Sequence, residues 1–238
     1  MNRRLLFFLA AIFLFGCTTL KTPEIKGVVV DEETGKPIAG ARIYARWQKV
    51  NAGPGGQSRG GISKEITLIA DKNGRFVIPA HLLINFVPYP FGQGGYLYLV
   101  FYTHNYKYKK FELENSTQFK NFLGVQQKEK VISLSRLENN PGAFLNNSSD
   151  VFIYAHPDDA YVAEEDKILV QRFDSDKWKN EDLLYQLVYA YSRLGEYRVA
   201  LNKLEEIPKL RPDAQKDKSY WMEYNRLTSK LEHVPLSC

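Results

Sequence analysis

The feature that most restricts the fold is a change in the period at which apolar residues recur. Up to about residue 136 they fall in short β-branched and aromatic runs separated by turn residues, as in Ile66-Thr67-Leu68-Ile69-Ala70, Asp71-Lys72-Asn73-Gly74 and Arg75-Phe76-Val77-Ile78. From about residue 179 they recur every three to four positions, as in Leu184, Leu187, Val188 and Tyr191. A period of two fits pleated strands and a period near 3.6 fits amphipathic helices. The sequence therefore predicts an α+β chain of two modules, an antiparallel β-sandwich over 24–136 and a small α-helical hairpin bundle over 179–233. With 238 residues, each module is long enough to bury a core. Between them, Asn139-Asn140-Pro141-Gly142 and Asn146-Asn147-Ser148-Ser149-Asp150 are turn and loop residues, so 137–178 reads as irregular linker and 234–238 as a tail.

The N-terminus carries an export pattern. Arg3 and Arg4 precede an uncharged apolar run from Leu5 to Phe15. As a helix this run rises about 16 Å, roughly half the hydrocarbon thickness, which marks 1–16 as a signal peptide and not a stable span. The run ends in Leu14-Phe15-Gly16-Cys17, which resembles the lipobox of bacterial lipoproteins, although Phe15 is bulkier than the small residue usual there. The resemblance implies cleavage before Cys17, a diacylglyceryl group on its thiol, a third acyl chain on its amine, and 17–23 as a lipidated tether. Two or more chains make membrane attachment stable where one does not. An ordinary secretory signal or an uncleaved anchor would share the apolar run, but neither requires a cysteine after a small residue at its end.

Thr18 leaves the next position without aspartate, which resembles the outer-membrane sorting pattern of enteric bacteria; the expected setting is the envelope of a Gram-negative bacterium. Cys238 is the other of the two cysteines, so with Cys17 acylated no disulfide forms within the chain. Net charge is +5 and falls to +3 once Arg3 and Arg4 are removed, too weak and dispersed for nucleic acid.

Ile25 to Asp31 reads as a strand, Glu33-Thr34-Gly35-Lys36-Pro37 as a turn, and Ala41 to Trp47 as the returning strand. Gly27 to Asp31, Thr34-Gly35-Lys36-Pro37-Ile38-Ala39-Gly40-Ala41-Arg42-Ile43 and Ala70 to Phe76 resemble the carboxypeptidase regulatory-like domain, a transthyretin-like, immunoglobulin-like β-sandwich. That resemblance implies an accessory fold without catalytic residues. Asn51 to Gly61 holds five glycines and reads as a mobile loop; it lacks the lysine-serine/threonine ending of a phosphate-binding loop.

Phe86 to Phe111 contains ten aromatic residues. Tyr96, Tyr98 and Tyr102 alternate with Leu97, Leu99 and Phe101, which predicts a central strand buried on both faces. Tyr89 and Phe91 in the adjoining Pro88/Pro90 loop offer an alternative role as an aromatic platform for glycan or protein.

In the last module Asn180 reads as an N-cap, Gly195 as a helix stop, and Pro212 as the end of a second helix. A third, from about Ala214 to Glu232, has Tyr220, Trp221, Tyr224 and Leu227 as its buried stripe. Leu187, Ala190, Tyr191, Leu194-Gly195-Glu196-Tyr197, Ala200-Leu201 and Pro212 resemble one tetratricopeptide repeat, with Leu184, Val188 and Ile207 departing from its pattern. The resemblance implies a concave face presenting Asp182, Tyr185, Tyr189, Ser192 and Arg193 to a peptide of an envelope protein partner.

One motif raises catalysis. Phe152 to Asp159 resembles the metal-site signature of zinc-dependent N-acetylglucosaminyl deacetylases, which implies metal on His156 and Asp159 with Asp158 as base. Ala160 replaces the family's glutamate, His233 is the sole downstream histidine, and the 79 remaining residues read as helices, so the expectation is a strand ending in a His-Pro turn. Glu164-Glu165-Asp166 reads as solvated charge. No catalytic residue, metal or cofactor is expected; the predicted function is that of a membrane-anchored binding or scaffold module.

Overall fold

The computed structural model describes residues 17–53, 56–86, 92–114, 116–124, 129–155, 158–178 and 180–232. The chain divides into two compact units, Met1–Leu137 and Glu138–Cys238. No helix among the described residues is long and apolar enough to cross a membrane. The predicted signal peptide, the C-terminal tail with Cys238, and the platform residues Tyr89 and Phe91 lie outside the described residues.

The first unit contains β1 (Cys17–Thr22), β2 (Ile25–Asp31), β3 (Arg42–Gly53), β4 (Gly56–Ile69), β5 (Arg75–Ile78), β6 (His81–Phe86), β7 (Gly92–Tyr102), β8 (Lys109–Leu113), α1 (Ser116–Leu123) and β9 (Lys130–Leu134). They form a ribbon β1-β6, a three-stranded sheet β5-β2-β9 and a four-stranded sheet β4-β3-β7-β8. Ile25, Val29, Phe76 and Ile78 of the three-stranded sheet share one buried cluster with Ile43, Trp47, Leu97 and Phe101 of the four-stranded sheet. Two sheets packed over a common core make a β-sandwich.

Four expectations need correction. The sheets are not wholly antiparallel, because β9 runs parallel to β2. Ala41 to Trp47 does not return along β2: after the Asp31–Pro37 turn, Ile38 N–H donates to Val29 O, Gly40 takes φ +72° with its N–H on Ala70 O, and the chain crosses to pair β3 with β4 and β7. The glycine-rich segment continues a hairpin, with Asn51 opposite Ser58 and Gly53 opposite Gly56. Glycine costs about 0.5–1 kcal/mol per residue in a strand, but backbone ladder bonds form without side chains. Finally, 17–22 is no tether, since Cys17 to Thr22 pair residue by residue with Phe86 to His81.

Strand β7 lies between β3 and β8 with Tyr96 to Tyr102 all buried, because both faces of this strand carry apolar or aromatic side chains. The Asp31 turn is fixed by a 3% exposed carboxylate. Its Oδ1 accepts from the N–H groups of Glu33 (3.0 Å) and Thr34 (2.8 Å), and its Oδ2 from Tyr106 Oη (2.8 Å) and Arg136 Nε (2.9 Å). These donors favour the charged form, Tyr106 foremost, and hold the Asp31 pKa well below the usual carboxylate value of about 3.9. A depressed folded pKa means the stabilisation is complete above pH ~4 and is lost as pH falls through the folded value. Denaturant titrations in that acidic range are expected to show a flatter stability-pH profile for Asp31→Asn than for the wild type. Asp71, whose pKa is also lowered, leaves a smaller slope of the same sign in both.

The second unit contains α2 (Pro141–Ala155), α3 (Asp159–Phe173), α4 (Glu181–Arg193), α5 (Tyr197–Leu210) and α6 (Lys218–Glu232). Two of these helices occupy the expected linker 137–178, which is the largest departure from the sequence reading. Asn140 Oδ1 accepts from Ala143 N–H (2.8 Å) with Pro141 at the first helical position, and Asp158 Oδ1 accepts from Tyr161 N–H (2.6 Å). The stripe Tyr161, Glu165, Leu169 and Phe173 is buried at four-residue intervals. Glu165 and Asp166 are therefore not solvated charge: Glu165 accepts from Ser148 Oγ (3.0 Å), and Asp166 is clasped by Arg193.

Helix α4 is capped by Asn180, whose Oδ1 accepts from Leu183 N–H (2.8 Å). It ends with Gly195 at φ +84° while Glu196 N–H bonds Tyr191 O (2.8 Å), a closure that glycine permits without a Cβ penalty. Leu184, Val188, Ala200, Leu204 and Ile207 form the α4/α5 core, joined by Tyr220 and Leu227 of α6. Trp221 is not part of that stripe. It is 44% exposed, with its indole N–H on Gln215 O (2.6 Å), and Glu223 takes the buried position.

Candidate binding groove

A groove of about 550 Å³ runs between the first turns of α2 and α4. Gly142, Leu145 and Asn146 form one wall; Asp182, Tyr185 and Gln186 form the other. The two walls exist because Asn140-Pro141 and Asn180-Glu181 each start a helix, so matching first turns face a common space. Leu145 and the Tyr185 ring supply apolar surface, Asn146 and Gln186 supply both donors and acceptors, and Asp182 supplies an exposed negative charge. Burial pushes the Tyr185 hydroxyl pKa up, so it remains a neutral donor. Beside it, Arg211 Nε lies 3.2 Å from Glu181 and also pairs with Asp217, which ties the α4 start to the loop before α6.

Among the residues expected on the concave face, the structure brings Asp182 and Tyr185 together and separates the others. Tyr189 is 40% exposed outside the groove lining. Ser192 is buried and accepts from Arg226 Nη2 (2.7 Å). Arg193 makes a two-pronged bond to Asp166, Nε to Oδ2 at 2.7 Å and Nη2 to Oδ1 at 2.6 Å, and so braces α4 against α3. The α2 wall was missed by sequence reasoning; Asn140-Pro141 was the available signal, as a cap followed by proline at the first helical position.

A second cleft, of about 310 Å³, has Phe173, Trp178 and Leu187 on its apolar side and Asp174, Lys203 and Glu206 on its polar side. Lys203 Nζ lies 2.5 Å from Asp174, which also accepts from Tyr191 Oη at 2.5 Å, and 3.6 Å from Glu206, so one ammonium bridges two carboxylates.

The two aspartates of the deacetylase-like motif serve as a helix start. His156 lies outside the described residues, Asp158 caps α3, and Asp159 is exposed in its first turn, so the aspartates start a helix and not a loop. No group of three or more His, Cys, Asp or Glu side chains that could hold a metal occurs among the described residues. Cys17 opens β1, opposite Phe86 of β6.

No protein-family model matches the chain. No curated protein matches it either. Among solved structures, it is similar to a streptococcal ancillary pilin at 16% identity, covering 48% of this chain and 29% of that one, with a TM-score of 0.25. The C-terminal domain of the shaft pilin SpaA from Lactobacillus rhamnosus GG aligns at 14% identity over 50% of this chain and 98% of that one, TM-score 0.27. A catechol 1,2-dioxygenase from Acinetobacter radioresistens aligns at 14% identity over 50% and 52%, TM-score 0.27. Likenesses of this size assign no activity to the chain.

Proposed function

We propose that the chain is a lipid-anchored envelope protein that works by non-covalent binding, with a carboxypeptidase regulatory-like sandwich as its base and a tetratricopeptide-like helical unit as its binding part. The observation that carries this reading is the α2/α4 groove, where an aromatic ring, two amides and an exposed carboxylate line a space of about 550 Å³. The five helices support the repeat-like reading, since the α2/α3 pair precedes the α4/α5 pair and α6 covers the end of the latter core. The resemblance of Leu14-Phe15-Gly16-Cys17 to a lipobox supports the anchor, and the expected setting remains the outer membrane.

The occupant that fits is a peptide segment of an envelope protein carrying a lysine or arginine for Asp182 and an apolar residue for Tyr185 and Leu145. Peptide display against the intact chain is expected to enrich such segments. Tyr185→Ala is expected to weaken them about tenfold, equivalent to about 1.4 kcal/mol, and Asp182→Asn to remove the preference for the basic residue. Selected peptides indifferent to both substitutions would overturn the assignment of the groove.

A further inference from the structure

Ribbon β1-β6 has two unlike faces. Leu20, Thr22 and Leu83 are buried, with Leu20 and Leu83 in the sandwich core, so the ribbon is fixed to the body of the unit. On the other face Ile84 is 36% exposed opposite Thr19, and Leu82 is 52% exposed opposite Lys21. In the separate β2-β5 pair, Val77 is likewise 48% exposed opposite Lys26, whose ammonium lies 3.0 Å from Glu24. On the ribbon, the exposed aliphatic pair Ile84 and Leu82, with Lys21 beside Leu82, begins two residues from Cys17 with no intervening loop.

We infer that this face lies against the lipid bilayer, with Leu82 and Ile84 at the headgroup-acyl boundary and Lys21 among anionic headgroups. The inference rests on the proposed acylation of Cys17. Strand rise of about 3.4 Å per residue sets the Thr19-Ile84 pair about 7 Å and the Lys21-Leu82 pair about 14 Å from the anchor. A chain acylated at the first residue of a packed strand has no free segment to lift the sandwich away from the surface. The aliphatic side chains leave water at the interface while lysine keeps its charge in the headgroup layer. A bilayer is favoured over a protein partner because the row starts two residues from the cysteine expected to carry the acyl chains.

The test uses the full-length chain isolated from membranes in its native modified form, in a Cys238→Ser background. Leu82→Cys or Ile69→Cys, both at exposed positions, carries an environment-sensitive fluorophore. The protein is placed in phosphatidylcholine-phosphatidylglycerol vesicles containing a headgroup spin-labelled lipid, and mass spectrometry reads residue 17. The expected result is an acylated Cys17 with quenching severalfold stronger at position 82 than at 69. Acylation with equal quenching at both positions would overturn the bilayer-facing assignment and leave the anchor standing. An unmodified Cys17 would overturn the anchor and this inference with it.

Discussion

Replacement of Trp47 by alanine is expected to lower the stability of the sandwich by about 3–5 kcal/mol, the range for removing a large buried aromatic side chain. Trp47 is fully buried in the core cluster. Its indole N–H donates to Thr22 Oγ1 at 3.0 Å, and the same hydroxyl donates to His81 O (3.0 Å) and accepts from His81 N–H (3.2 Å). The His81 ring meets the indole edge-on at 4.9 Å. One side chain thus fills core volume and joins the four-stranded sheet to the Thr22/His81 end of the ribbon. Trp47→Phe retains most of the apolar area and loses the N–H donor, so its cost should be smaller, with about 1 kcal/mol of it assignable to the hydrogen bond. Equilibrium denaturation followed by far-ultraviolet circular dichroism measures both. A loss below about 1 kcal/mol for the alanine variant would show that the site relaxes and that Trp47 is not a keystone.

In the helical unit the largest effect is expected at Leu204, whose replacement by alanine should cost about 2–5 kcal/mol. Leu204 is fully buried among Leu184, Val188, Ala200 and Ile207, where α4 and α5 meet. Leu201, one turn away and only half-buried, is the internal comparison. Its alanine variant should cost less, because part of its side chain already contacts water. Loss of ellipticity at 222 nm in denaturant gives the two values. Equal costs would contradict the packing described.

The strands were readable where turn chemistry and alternation agreed. Asp71 accepts from the N–H groups of Asn73 and Arg75 (both 2.8 Å), and Gly74 takes φ +70° with Val29 O only 2.6 Å from where a Cβ would stand. Strand partners were less readable, because pairing β2 with β9 depends on a contact across about a hundred residues that no local pattern announces. Helices α2 and α3 were hidden by polar residues on their buried faces. Asn147, Glu165 and Asp166 break the apolar stripe that marks a helix; Ser148 beside Glu165 and Arg193 beside Asp166 are partners that no local pattern announces. The groove was half readable for the same reason, since Asp182 and Tyr185 stand on the strongly periodic α4 while their opposite wall belongs to the segment that looked like linker.

The parallel pairing of β9 with β2 governs the order in which this protein can become complete. β2 acquires its second neighbour only when Lys130–Leu134 arrive, after every other strand of the unit has been made. Until then the edge of β2 that faces β9 stays open to any passing β-segment, while Val29 and Asp31 are already bonded on the other side to Gly74 and Lys36. A ribosome that stalls or a protease that cuts before residue 130 would therefore release an adhesive, aggregation-prone fragment, and assembly of the intact sandwich should be slow for its size.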